Sequence, residues 1–352
     1  MSLNRALDKR VRADNKISRN DTGEFRLGSD ADGAVLDKAI AGLLGDYGKL
    51  GARLRIFQHD TECELSGLTL RFQYPAFRGG QPTDTDLTDL IAHYITKFAL
   101  PHSVRNRVHR KFKELSPEEV ELECSKLRAK AVDTFIRAHK ATKRNGEAGE
   151  LMLFLLTEWI LGAPQILAKM SLKTNPDFPV LGADGLHVKV DSETGKIHLY
   201  FGESKLHKSL TGGINSAAQS IRKGLRPSEA KYEVELIEKF VELSGLPESS
   251  HDALLAFLDP WEEVSNTRVD VITCLIAFEF SAYSRLKATG HVERVAEFEA
   301  AMGRLVSDVS PKVVKAFSEV GLQHQEVELF LLPLPSVAVL REQFQALIGW
   351  KP

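Results

Sequence analysis

Apolar and polar positions change their rhythm three times along this chain. Residues 1–34 are rich in charge, Gly and Asp with little periodicity, and predict a flexible or loosely held leader. Strand-like runs follow at 52–59 and 65–74, the second stopped by Pro75. Leu87, Leu90, Ile91, Tyr94 and Ile95 then recur at helical spacing, predicting a helix over 84–100 that Pro101 ends. Ser116-Pro117-Glu118-Glu119 opens a second, longer helix reaching about residue 140, because a Ser cap, a first-turn Pro and early carboxylates all favour a helix start.

From Gly146 the texture shifts. Residues 147–162 are apolar nearly all round, which predicts a helix buried on several sides. Strands are expected at 165–171, 184–190 and 197–203, then helices at 214–223 and 228–243. The unbroken apolar run 271–280 reads as a fully buried strand. A helix pair, a last strand at 326–332 and a terminal helix complete the pattern. The order α-β-β-β-α…β from residue 147 predicts an α/β fold with a mixed sheet and helices on its faces. The change of texture sets a boundary near residue 140, dividing an accessory region, 1–140, from a main domain, 141–352.

The segment around residues 184–203 carries the chemistry. The turn Asp191-Ser-Glu-Thr-Gly-Lys196 is dense in turn formers, so its flanking strands should pair antiparallel. With Val190 opposite Ile197, the pairs run Val188–Leu199, Leu186–Phe201 and Asp184–Glu203. Side chains alternate between faces, so one face carries the apolar residues and ends in Asp184 and Glu203. The other carries His187, Lys189, His198 and Tyr200 and is expected to be the wetter side. A slip of one residue would scatter the apolar stripe, which supports this register.

Directly opposed residues have Cβ atoms roughly 4.5–5.5 Å apart. Two carboxylates so close, at the end of an apolar face, require a proton, a basic partner or a cation. Lys205 returns to the same face two residues beyond Glu203. Asp, Glu and Lys at one sheet rim are the groups that divalent-metal phosphodiester hydrolysis uses, since hard oxygen ligands suit Mg²⁺. The competing expectation is a structural ion-pair cluster in a non-catalytic nucleic-acid-binding or assembly subunit.

The ordered set Gly146-Glu-Ala-Gly-Glu150, Gly162-Ala-Pro-Gln-Ile-Leu-Ala-Lys-Met170, Gly182-Ala-Asp-Gly-Leu-His187 and Gly202-Glu-Ser-Lys205 resembles the HamA family, the effector nuclease of Hachiman anti-phage defence, within the PD-(D/E)XK nuclease superfamily. The resemblance covers roughly residues 140–350. It implies a restriction-endonuclease-like core, DNA cleavage with Mg²⁺ or Mn²⁺, and a superfamily 2 helicase partner (HamB-like). By the same resemblance, Asp184, Glu203 and the Ser204 carbonyl hold metal and Lys205 is the catalytic lysine. The helix acid is Glu150 or Glu147; the spacing from Gly146 favours Glu150. Gln219 would approach the site from the following helix. One departure is that Ala183, not Pro, precedes Asp184.

Arg222 and Lys223, on the helix after Lys205, are candidate phosphate contacts. The basic run Arg105–Lys113 reads as an exposed helix face. The absence of GxxxxGK[ST] from the sequence predicts that the chain does not bind ATP itself. A net charge of -2 argues against a bulk electrostatic partner, though it would hide a local basic patch in the sum, and three widely spaced cysteines fit a reducing compartment. With no long apolar span, the expectation is a cytoplasmic protein without membrane contact.

Overall fold

The computed structural model describes residues 17–19, 25–27, 29–62, 65–142, 146–172, 183–191, 194–259, 261–288 and 290–350. Seven strands form the main sheet: β1 (Leu54–Glu62), β2 (Leu68–Pro75), β3 (Gln165–Leu167), β4 (Leu186–Val190), β5 (Ile197–His207), β6 (Val269–Glu279) and β7 (Glu326–Leu334). Their order is β1-β2-β7-β6-β5-β4-β3. The four central strands, β2, β7, β6 and β5, run parallel, and antiparallel strands flank them on both sides. Central parallel strands covered on both faces should read as continuous apolar runs. β6 and β7 do, with Cys274–Ala277 and Leu329–Leu332 fully buried.

Of the helices among the described residues, six bear most on the site: α1 (Pro117–Thr142), α2 (Glu147–Leu156), α3 (Leu210–Gly224), α4 (Pro227–Phe240), α5 (His291–Glu319) and α6 (Val337–Leu347). The start of α1 is the one its sequence predicts. Glu119 N–H donates to Ser116 Oγ at 3.3 Å and Ser116 N–H to Glu119 Oε2 at 2.8 Å, a reciprocal capping box. One face of the sheet packs on α2 and α6 through Leu275, Ala277, Phe330 and Leu332. The other packs on α3 and α5 through Ile214, Ile276, Phe298 and Leu331. A third apolar cluster joins β4 and β5 to α4 and to the helix Ser29–Ala41 through Leu36, Ile40, Leu186, Leu199 and Leu236.

Several expectations need correction. Within the leader expected to be flexible or loosely held, Ile17–Arg19 pairs with Phe25–Leu27 and a helix runs over Ser29–Ala41, burying Leu36 and Ile40; residues 1–16, 20–24 and 28 lie outside the described residues. The helix expected over 84–100 is two, Asp84–Ala92 and Ile95–Ala99. The expected helix pair before β7 is one turn, Ala282–Arg285, and the 29-residue α5, which continues through Pro311. Its buried stripe, Met302, Leu305, Val309, Val313 and Phe317, holds both halves against the sheet across the proline.

The boundary near residue 140 does not coincide with a break in the sheet. β2 pairs with β7 over Leu68–Phe72, and Leu54, Phe98 and Phe135 share one cluster with Leu151 and Phe330. The side expected to be wetter is dry at His187 and Tyr200, because α2 and its surroundings cover them. His187 is buried, its Nδ1 lies 2.9 Å from Ala163 O, and burial lowers its pKa to about 4, so it stays neutral. Arg105, placed by sequence on an exposed face, is buried beside Glu158 and Tyr47. Among the described residues, no helix is long and apolar enough to cross a membrane.

Candidate active site

The predicted hairpin register holds. Val190 faces Ile197, Val188 faces Leu199 and Leu186 faces Phe201. There the β4–β5 ladder ends, while β5 continues to His207, paired with β6 as Glu203↔Cys274 and Lys205↔Ile276. Past this ladder Gly202 N–H still donates to Gly185 O at 2.9 Å, and a cavity of about 410 Å³ opens beside the two segments. Gly202 lies at its base. A Cβ there would meet Gly185 N and Leu153 Cδ2 at 3.2 Å, so the close approach of the segment before β4 and of α2 favours glycine.

Asp184, Glu203, Ser204, Lys205 and Glu150 all line this cavity. Asp184 Oδ2 accepts from Ser204 N–H at 2.9 Å and from Ser204 Oγ–H at 3.0 Å, which ties the carboxylate to β5. Asp184 N–H itself donates to Gly202 O at 2.6 Å. Lys205 Nζ donates to Glu203 Oε1, with both side chains largely shielded from solvent. Burial, and then the charge of Asp184, raise the Glu203 carboxyl to about 7, against the lowering pull of Lys205 and of a hydrogen bond from Ser220. Glu203 thus sits at the protonation midpoint near neutral pH, the condition sequence reasoning expects of two crowded carboxylates.

That shift carries a signed consequence. A carboxyl whose folded pKa lies above its ordinary 4.5 favours folding most below pH 4.5, and this contribution is lost as pH rises from about 4.5 to about 7. In chelator-treated protein, Glu203→Gln, which is neutral at every pH, is therefore expected to melt higher than the native chain at pH 8 and alike at pH 5. The ceiling is about 3 kcal/mol, from roughly 1.4 kcal/mol per pKa unit. Identical pH dependence of melting in the two proteins would count against a buried, charge-crowded Glu203.

The other predicted residues divide. Lys223 lines the cavity. Arg222 does not; its guanidinium donates to Val320 O on the loop before β7. Gln219 is exposed on α3, and Ser220, one residue on, lines the cavity instead and bonds Glu203. One helical step of about 100° moves a side chain to a different face, and the sequence carried no signal for which of the two turned inward. Glu147 is buried on a separate small cavity with Phe135, Phe344 and Trp350, so of the two helix acids Glu150 is the one at the site. Arg341 of α6, donating to Leu206 O at 2.7 Å, and Glu233 of α4 also line the cavity, and pattern reading found neither.

Asp184, Glu203 and Glu150, all lining the cavity, offer only oxygen donors, which would suit Mg²⁺ or Mn²⁺ better than a softer ion. Among the described residues, no group of three or more His, Cys, Asp or Glu side chains stands close enough to enclose a metal unaided. An ion here would need backbone, water or substrate oxygens beyond these side chains to complete its shell.

Fold and cavity together define the class: a mixed α/β protein with two carboxylates and a lysine lining a cavity at the end of the β4–β5 hairpin. Within that class the chain belongs to the HamA family, the family of Hachiman anti-phage defence, whose sequence profile matches residues 53–348. The match begins at the edge of β1 and so includes both main-sheet strands that precede residue 140. No curated protein matches the chain.

Proposed function

We propose that this chain is a divalent-cation-dependent DNA endonuclease with a PD-(D/E)XK core. In this reading it is the effector subunit of a Hachiman anti-phage defence complex and works with a superfamily 2 helicase. The observation that supports this most is the convergence of Asp184, Glu203 and Lys205 on one cavity wall, with Glu203 brought near its protonation midpoint.

Asp184, Glu203, the Ser204 carbonyl and Glu150 would hold Mg²⁺ or Mn²⁺, with Glu147 outside the shell. When bound, such an ion makes a coordinated water more acidic and polarises the phosphoryl oxygens. The chain's own residues do the rest. Ser204 fixes the Asp184 carboxylate through two hydrogen bonds, so its orientation is set before substrate arrives. Lys205, released from part of its bond to Glu203, orients the attacking water and offsets charge building on the phosphate. Water oxygen bonds to phosphorus and gives up its protons to solvent, one P–O ester bond breaks, and the departing oxygen takes one proton from solvent. Lys223, which lines the cavity, would contact a neighbouring phosphate as a point charge.

The test is cleavage of plasmid and single-stranded DNA with Mg²⁺ or Mn²⁺, by the chain alone and with its helicase plus ATP, beside a Glu203→Ala/Lys205→Ala double variant. Cleavage that disappears in a folded double variant supports the reading. No cleavage in any arm, or cleavage that survives the double change, moves the chain to the non-catalytic assembly reading. The two helix acids separate in the same assay. Glu150→Gln is expected to lower turnover at least ~10-fold, as loss of a group supporting a metal does, whereas Glu147→Gln stays within about twofold. The reverse order would reassign the helix acid.

A further inference from the structure

Beside the cavity lies an ion pair that the proposed chemistry does not use. Lys169 follows β3, and Glu233 projects from α4 into the cavity wall. Their side chains are 0% and 3% exposed. Lys169 Nζ donates to Glu233 Oε1 at 2.6 Å, to Glu233 Oε2 at 2.8 Å and to Ala183 O at 2.6 Å. Ala183 N–H in turn donates to Glu233 Oε1 at 2.9 Å. An ammonium has three donors, and these three acceptors match them. The pair thus grips both peptide groups of Ala183, the residue immediately before Asp184.

A fully buried ion pair is a weak way to stabilise a fold, since apolar residues of similar volume commonly do as well. Apolar residues cannot, however, take up a peptide N–H and a peptide C=O together. The use of Lys and Glu at this point is accounted for by what they hold. From Ala183 the constraint passes directly to Asp184, whose N–H is fastened to Gly202 O and whose carboxylate meets Ser204 N–H at 2.9 Å. Because α4 carries Glu233 and also forms a wall of the cavity, the same pair sets that wall's distance from the Asp184 segment.

We propose that Lys169 and Glu233 are positioning residues which, by clamping Ala183, hold the Asp184 carboxylate against the Ser204 amide and so pre-set the site. Its importance for catalysis rests on the nuclease reading; the positioning itself does not. Misplacement of about 1 Å at a reacting centre can cost on the order of 100-fold in rate.

The experiment compares the native full-length chain with Lys169→Met, with Glu233→Gln and with the double variant Lys169→Met/Glu233→Met. Melting, backbone amide exchange across residues 183–206, Mn²⁺ binding and DNA cleavage are measured on each. The double variant removes both charges and keeps the apolar volume, so it is expected to melt within a few degrees of the native protein. The Ser204 amide is nevertheless expected to exchange at least ~10-fold faster, while Leu275 and Leu331 on β6 and β7 keep their protection. Mn²⁺ affinity should fall at least ~10-fold, and kcat should fall with KM for DNA nearly unchanged, because Asp184 does not bind the remote substrate. Where the double variant does not fold, Glu233→Gln carries the test, since it keeps an acceptor for Ala183 N–H and should give an intermediate exchange rate. Native-like Ser204 protection in a folded variant overturns the clamp, whatever the cleavage result. Faster Ser204 exchange in a chain whose native form cleaves nothing upholds the clamp and removes the nuclease reading instead.

Discussion

Lys205→Met is expected to lower DNA cleavage by a factor of ~10²–10³ while leaving the fold intact. Removal of one preorganised charge-stabilising group costs on that order in enzymes that depend on it. The fold survives because Lys205 lies at the partly open cavity wall, its side chain 23% exposed, and its apolar stem is matched by methionine. The change also acts on Glu203. Lys205 supplies both a charge and a hydrogen bond that lower the Glu203 pKa, so without it the carboxyl is left with burial and Asp184, both of which raise it. The Glu203 titration should therefore move above 7, and any residual Mn²⁺ binding should require a higher pH than in the native chain. Parallel melting and metal titrations at pH 6, 7 and 8 check this. Near-native turnover in a folded Lys205→Met protein would remove Lys205 from the chemistry and weaken the nuclease reading with it.

A fragment of residues 141–352 is expected not to fold, although sequence texture places a boundary there. Cutting at residue 140 removes β1 and β2 and leaves β7, whose Leu329–Leu332 are fully buried, as an open sheet edge. It also removes Leu54, Leu70, Phe72, Ile91, Ile95, Phe98 and Phe135, each at most 3% exposed. At roughly 1.5–3 kcal/mol per buried side chain these seven contribute on the order of 10–20 kcal/mol. That equals or exceeds the usual net stability of about 5–15 kcal/mol for a whole domain. Polar ties are lost as well. Tyr47 donates to the buried Glu158, whose other oxygen accepts from Gln165 N–H at 2.9 Å, and this joins the early chain to α2's extension and to β3. The expected result is aggregation, or a chain without a cooperative melt by circular dichroism. A fragment melting cooperatively within a few degrees of the full chain would restore the two-part division and free residues 1–140 for a separate task.

The hairpin at the centre of the site was legible in the sequence because its information is local. Strand residues alternate with a period of two, so Leu186, Val188 and Val190 against Ile197, Leu199 and Phe201 admit one register that keeps the apolar set on one face. That register placed Glu203 and Lys205 together beside Asp184. The helix starts at Pro117 and Glu147, and the buried strands β6 and β7, follow from equally local signals of capping and continuous apolarity.

Other features depend on which distant segments meet, and no period along the chain encodes that. Pairing of Leu68–Phe72 with Val327–Leu331 draws the first strands into the sheet across more than half the chain, dissolving the boundary that texture suggested. Burial of His187 and Arg105 depends on what packs over them, so residue type alone misplaced both. The choices of Glu150 over Glu147 and of Ser220 over Gln219 turn on helix rotations of about 60° and 100° against the sheet. The Lys169–Glu233 clamp joins residues 64 positions apart around a third segment. The chain alone set the chemistry of each side chain and the local face it occupies; the tertiary structure decided which of those faces share a cavity, because long-range contact is a property of the packed whole.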